Sequence, residues 1–185
     1  MFFSLTFNLY FKYLILMAQG ILAMADYNFV THKMTHHKRV TIHWVLQAIA
    51  LAFITIGQTA IYVRKAEKGK SHFTTLHGIM GLITYLLTVA SSLGGVFTLY
   101  SFQLRTFVKP IAIKIIHSLV GILTYLMGVA TIGTGIYSRS WMHRVEHDSW
   151  VLPMMIIIMI CTTPYVLCKS VVLLKTRFLN ALNLS

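Results

Sequence analysis

Residues 111–137 read IAIKIIHSLVGILTYLMGVATIGTGIY. The stretch holds one cation, Lys114, near its start, and one histidine, His117. About 20 consecutive apolar residues let an α-helix cross the hydrocarbon of a bilayer, so this run predicts a transmembrane helix. Four further apolar runs follow the same rule, at 2–25, 43–63, 74–100 and 151–174. Polar, basic segments separate them. The pattern predicts an all-α fold, a multi-pass transmembrane helix bundle of five spans in one domain covering 1–185. Pro110 and Pro153 stand near helix starts, where a missing N–H is tolerated. Pro164 lies inside the last run and is expected to kink it.

Composition agrees with lipid as part of the solvent. Apolar residues make up 57% of the chain and charged residues 11%, and mean hydropathy is +0.73. A soluble domain carries about 25% charged residues. The four acids, Asp26, Glu67, Glu146 and Asp148, all fall between the apolar runs, as the cost of an ionised carboxylate in hydrocarbon requires. The net charge of +12 is spread in short clusters beside the runs. That distribution is the habit of membrane proteins and argues against nucleic acid as a partner. Cys161 and Cys168 share one apolar run and read as small buried hydrophobes rather than a disulfide or redox pair. The chain holds no CxxCH, so covalently attached haem is not expected.

The first run ends in Ala23-Met24-Ala25, which resembles a signal-peptidase site. The segment after it carries Lys33, Lys38 and Arg39, and positive charge there resists export. The run is therefore expected to stay as a helix, with Lys12 an awkward feature inside it, since a long side chain can snorkel only from near a helix end. Counting Lys and Arg orients the bundle. The first loop, the third loop (Arg105, Lys109, Lys114) and the tail (Lys169, Lys175, Arg177) carry nine. The loops with Arg64, Lys65, Lys68, Lys70 and with Arg139, Arg144 carry six. The richer side, with the carboxy terminus, is expected to be cytoplasmic.

Nine histidines occur. His32, His36 and His37 read as a solvated loop cluster. His43, His77 and His117 each fall within the first turn or so of an apolar run, and an ionisable residue in a span is a functional candidate by default. The helices alternate in direction, so His43 and His117 lie at similar depth on the cytoplasmic side and His77 lies near the other. His77-Gly-Ile-Met-Gly81-Leu-Ile-Thr84-Tyr85-Leu86 recurs as His117-Ser-Leu-Val-Gly121-Ile-Leu-Thr124-Tyr125-Leu126, and Val89-Ala90 matches Val129-Ala130. From 77 to 117 the offset is 40 residues, between helices of opposite direction. Such an inverted repeat places equivalent sites symmetrically about the midplane.

Gly81 and Gly121 follow their histidines at i+4 and share their helix face. A glycine there leaves room for a flat macrocycle, and paired neutral imidazoles suit the iron of an electron-transfer haem. Those glycines could equally serve close helix packing, which is the reading for Ser91, Ser92, Gly94 and Gly95. Zinc fits less well, because the spacings do not gather three or four ligands. A transporter or channel would want carboxylates lining a path, and the spans contain none.

His43-Trp44-Val45-Leu46-Gln47, Gly69-Lys70-Ser71-His72 leading to His77-Gly78, Gly94-Gly95-Val96, and Lys114 with His117 together resemble the cytochrome b561 family. The resemblance covers residues 16–175. It implies a six-helix core with two haem b groups, in which cytoplasmic ascorbate gives an electron and monodehydroascorbate or a ferric chelate receives it. It makes the chain a transmembrane ascorbate-dependent ferric reductase of an endomembrane or vesicle membrane. It implies His43 and His117 as ligands of the cytoplasmic haem and His77 as one ligand of the other. Lys38, Arg39 and Lys114 would meet the ascorbate anion, and Lys70 and His72 would flank the acceptor. Each of these cations has a plainer reading as a membrane anchor or solvated loop. Pairing of two chains as a homodimer is compatible with such a bundle.

One departure matters. The family's fourth ligand belongs to a His-Pro pair early in the helix corresponding to residues 2–25. This chain has Leu5, Thr6 and Phe7 near that depth, with only Met1 as a remote substitute, and the family's first helix has no counterpart. The expectation is a five-span derivative that is amino-terminally truncated or replaced. It should hold one haem between the second and fourth helices, with the second lost or held by His77 alone. The rival expectation is a non-catalytic or impaired membrane subunit.

Overall fold

Thr35 and Thr75 open two of the helices by the same device. Each side-chain oxygen accepts a hydrogen bond three residues on, from Lys38 N at 3.5 Å and from Gly78 N at 3.1 Å. An N-cap of this kind satisfies one of the amides that a helix start leaves unpaired. The computed structural model describes residues 2–24, 31, 33–136 and 151–183, without the side chains of 2–8, 10, 151, 152, 154, 155 and 183. Helix α1 spans Phe2–Ala23, α2 His36–Glu67, α3 Leu76–Leu99, α4 Pro110–Ile136 and α5 Val151–Asn183, with a 3-10 turn at Gln103–Thr106. His32, Asp26, Ala25, Arg139, Arg144, Glu146 and Asp148 lie outside the described residues.

The molecule is a multi-pass helical bundle, without strands among the described residues. Four helices, α2 to α5, are long and apolar enough to cross a membrane, and the apolar stretch described in α1 is Phe11–Ala23. Two boundaries differ most from the apolar runs. Helix α2 begins at His36 instead of 43, so His36, His37, Lys38 and Arg39 form its opening turn and not a loop. Helix α5 runs on to Asn183 instead of 174, so Lys175 and Arg177 are helical and not a tail. Hydropathy marks the part of a helix within hydrocarbon, whereas caps and breakers mark where the helix stops. Pro110 is the first residue of α4, and α5 continues through Pro164.

Glycine ends α2. Gly69, at φ +59°, takes the left-handed conformation, its N–H bonds Ala66 O at 3.0 Å, and Lys70 N bonds Lys65 O at 2.9 Å. This is the Schellman closure, which returns two orphaned carbonyls to partners. The chain then folds back: Lys65 Nζ donates to Ser71 O at 3.3 Å, and His72 stacks on Tyr62 with ring centres 4.2 Å apart.

The closest pairings join α1 to α2 and α3 to α4, with α5 against α4. The buried core lies among Tyr13, Met17 and Leu22 of α1, Ala50 and Ile54 of α2, Tyr125, Ile132 and Ile136 of α4 and Val166 of α5. Many large apolar side chains, such as Ile56, Leu86, Leu93, Phe97, Leu123 and Ile160, point outward. In water that surface would be unfavourable; in lipid it is the ordinary solvent-facing side. Cys161 and Cys168 are free and lie on this outer face. They are therefore not buried as their apolar setting suggested, because hydropathy cannot distinguish the core from a lipid-facing surface.

Polar side chains stitch the interior. Thr124 donates to the carbonyl four residues earlier, and so does whichever of Thr84 and Thr131 accepts in the bond between them, which keeps these hydroxyls satisfied without water. Across helices, Thr84 and Thr131 hydroxyls meet at 2.9 Å, and Tyr13 meets Thr88 at 2.9 Å. Interhelical bonds of this kind average about 0.6 kcal/mol each in a membrane, so their main effect is to fix register.

Candidate functional site

Helix α1 ends at Ala23, so the carbonyl of Gly20 is among the last four, which lack a partner within the helix. His43 of α2 supplies one. Its Nδ1 lies 2.7 Å from Gly20 O. A carbonyl oxygen can only accept, so Nδ1 carries the proton and Nε2 is left with a bare lone pair. Metal-binding histidines are commonly held this way, with the second nitrogen donating to a backbone carbonyl. One turn on, Gln47 Nε2 donates to Met17 O at 3.1 Å. Gly20 makes the approach feasible, since a Cβ there would lie 2.6 Å from Gln47 Nε2.

The structure sets His43 beside His117 of α4. Their ring centres are 6.2 Å apart and their planes nearly perpendicular, at 85°. Two metal–nitrogen bonds of about 2 Å each, plus roughly 1 Å from nitrogen to ring centre on either side, give a span of about 6 Å. The separation therefore fits one metal shared between the imidazoles. Three or more potential ligands do not cluster anywhere among the described residues, so a two-ligand site, with the other positions filled by a macrocycle, suits this donor set better than a structural zinc. His117 lies flat on α3: Cβ atoms added to Gly94 and Gly95 would sit 3.4 Å from its Nδ1 and Cε1. Its Nδ1 is buried without a hydrogen bond of full geometry, and its electrostatic partner is the backbone of Ser91.

His77 occupies the image of this niche at the other end of the α3–α4 pair. Its Nδ1 donates to Thr131 O at 2.9 Å, which again leaves Nε2 bare. Its ring lies against Gly135, where an added Cβ would come within 2.8 Å of Cε1. Ser91 and Thr131 stand 40 residues apart, as do Gly95 and Gly135 and the histidines themselves. Gly81 and Gly121 complete the set: Cβ atoms there would meet Thr131 Cγ2 at 3.7 Å and Ser91 Oγ at 3.9 Å. The inverted repeat is thus a pseudo-two-fold pair of histidine niches, each lent backbone by the other's helix.

That geometry sorts the glycines. Gly81 and Gly121 pack helix on helix, one of the two roles their spacing allowed, whereas Gly94 and Gly95, read from sequence as packing residues, make room beside the His117 ring, and Gly135 does so beside His77. The signal was present in the repeat, which reaches Gly95 and Gly135 if carried beyond Ala90 and Ala130. His77 differs in one respect: it is exposed, and no ring contact joins it to another histidine among the described residues. The side chains of Leu5, Thr6 and Phe7, and Met1, lie outside the described residues.

The basic candidates separate by end. Lys38 and Lys114 are exposed and Arg39 is half-buried, all near the starts of α2 and α4 and so at the His43–His117 end. Lys70 is exposed and His72 half-buried in the turn at the His77 end, where Lys65 is the cation within electrostatic reach of His77. Composition counted Arg177 only as tail charge. It reaches from α5 to α4, donating to Lys114 O at 2.9 Å and to Ser118 Oγ, and is within electrostatic reach of both His43 and His117.

The family model for eukaryotic cytochrome b561 matches residues 7–143. The chain is similar to the human protein named transmembrane reductase CYB561D2, 33% identical over 85 residues, which is 46% of this chain and 38% of that protein. The mouse and bovine proteins of the same name are each 32% identical over the same shares. The match therefore spans well under half the length of these relatives. No solved structure matches.

Proposed function

This chain belongs to the eukaryotic cytochrome b561 family, and from that premise we propose that it binds haem b between His43 and His117 and moves electrons within a membrane. The observation that carries the reading is the facing pair of imidazoles, 6.2 Å apart, with His43 oriented through Gly20 O. Bound there, haem b supplies a one-electron ferric–ferrous couple. The chain's own residues do the rest. His43 and His117 give neutral nitrogens from opposed helices. Gly94 and Gly95 keep the α3 side of the niche shallow. Two imidazole nitrogens are the strong-field donor set that would suit a bound haem iron to electron transfer.

The donor and acceptor follow from charge and family. Lys38, Arg39 and Lys114 form a basic mouth that attracts an anion such as ascorbate. Lys70 and His72 lie at the opposite mouth, where monodehydroascorbate or a ferric chelate would be reduced. The excess of Lys and Arg on the first side makes it the cytoplasmic one, in an endomembrane or vesicle. Crossing about 30 Å of hydrocarbon calls for a second centre, and His77 offers it one ligand. A second reading, an impaired or non-catalytic subunit, is favoured by His77 being exposed and facing no second histidine ring among the described residues.

Haem per chain decides between them. The purified protein is assayed by pyridine haemochrome and by reduced-minus-oxidised absorbance. About one low-spin haem supports the His43–His117 site with half a relay. Two support transmembrane transfer from ascorbate, with the fourth ligand supplied elsewhere. None would leave the non-catalytic reading.

A further inference from the structure

Arg177 belongs to α5, which offers no histidine to either niche, yet its side chain reaches the turn of α4 that carries His117. It is half-buried. One of its terminal nitrogens, Nη1, is held by two neutral acceptors, Lys114 O and Ser118 Oγ, on the turn that carries His117. A guanidinium has five N–H donors in a rigid fork that matches a carboxylate. The bonds to α4 engage one corner of that fork and fix its direction. A partly desolvated cation whose described hydrogen-bond partners are neutral suits the company of an anion. The only described carboxylate is Glu67, at the opposite end of α2 from His43.

We propose that Arg177 is a carboxylate-binding residue of the His43–His117 niche, paired with a propionate of the haem held there. This rests on the haem reading given above. Haem b is neutral in its ferrous core but carries two propionates, and burying either without a cation is costly. Helix α5 continues past the apolar run, and that extension carries the guanidinium to α4. It acts as a positioning residue toward the iron and as a direct contact toward the propionate.

The test uses the full-length chain, depleted of haem in detergent and titrated with haem b or with its dimethyl ester, in which both carboxylates are blocked. Wild type should bind haem b roughly tenfold to a hundredfold more tightly than Arg177→Gln, the range for a charge-assisted hydrogen bond. Arg177→Lys should fall between, keeping charge but losing the fork, and it carries the comparison if the Gln variant does not fold. With the ester, wild type and both variants should bind alike. The midpoint potential of bound haem b should drop in Arg177→Gln, because a cation near the iron favours the ferrous state. If the variants bind haem b as well as wild type does, or lose haem and ester equally, Arg177 is a structural anchor and the proposal is wrong. If wild type binds neither compound, the haem reading itself fails and takes this assignment with it.

Discussion

At the scale of single residues, the niches are defined by a proton position and a missing Cβ. His43 and His77 each give Nδ1–H to a carbonyl, so Nε2 is the atom that each would offer to the proposed haem. His117→Ala should cut haem retention by more than tenfold, whereas His37→Ala, on the exposed opening turn of α2, should leave it unchanged; haemochrome content of the two purified variants checks this. At the other niche, Gly135→Val should push His77 off Thr131 O, because even a Cβ would lie 2.8 Å from the ring. Overpacking of this kind costs about 1–3 kcal/mol. The displaced ring should react faster with diethyl pyrocarbonate, read at His77 by mass spectrometry. Gly133→Val, where nothing lies within 4 Å, is the matched control, and equal rates in the two variants would count against the niche.

At the scale of helices, caps carry information that hydropathy lacks. Thr35→Ala removes the side-chain acceptor for Lys38 N and should destabilise the chain by about 1 kcal/mol. The loss should appear as an earlier midpoint in a dodecyl sulfate titration followed by circular dichroism. Gly69→Ala, forced into a left-handed conformation, should cost a similar amount, about 1–2 kcal/mol. The same contrast explains what could be read in advance. The positions of five helices, and the equal depth of His43 and His117, follow from run lengths and alternating direction. The true start of α2 does not, because His36 to Arg39 look like loop until Thr35 is seen as a cap. The end of α5 does not either, since no breaker follows 174. Arg177 stayed hidden because its role depends on where α5 packs against α4. The exposure of Cys161 and Cys168 stayed hidden because lipid-facing and core surfaces share one composition.

For the whole molecule, orientation is the first issue. Lys109→Cys and Lys70→Cys, each made with Cys161 and Cys168 replaced by Ala, should be labelled by an impermeant maleimide from opposite sides of a sealed vesicle. Labelling of both from one side would contradict the bundle. Within it, the two niches do not belong to separate halves. Each is built where α3 crosses the partner end of α4, His77 against Gly135 and His117 against Gly95. The helices are antiparallel, so sliding one along the other by a turn would carry both rings off their glycines together. The pair behaves as a single vernier with a reading at each face of the membrane. A lineage could adjust one niche alone by changing side chains, but a shift of helix register would detune both at once.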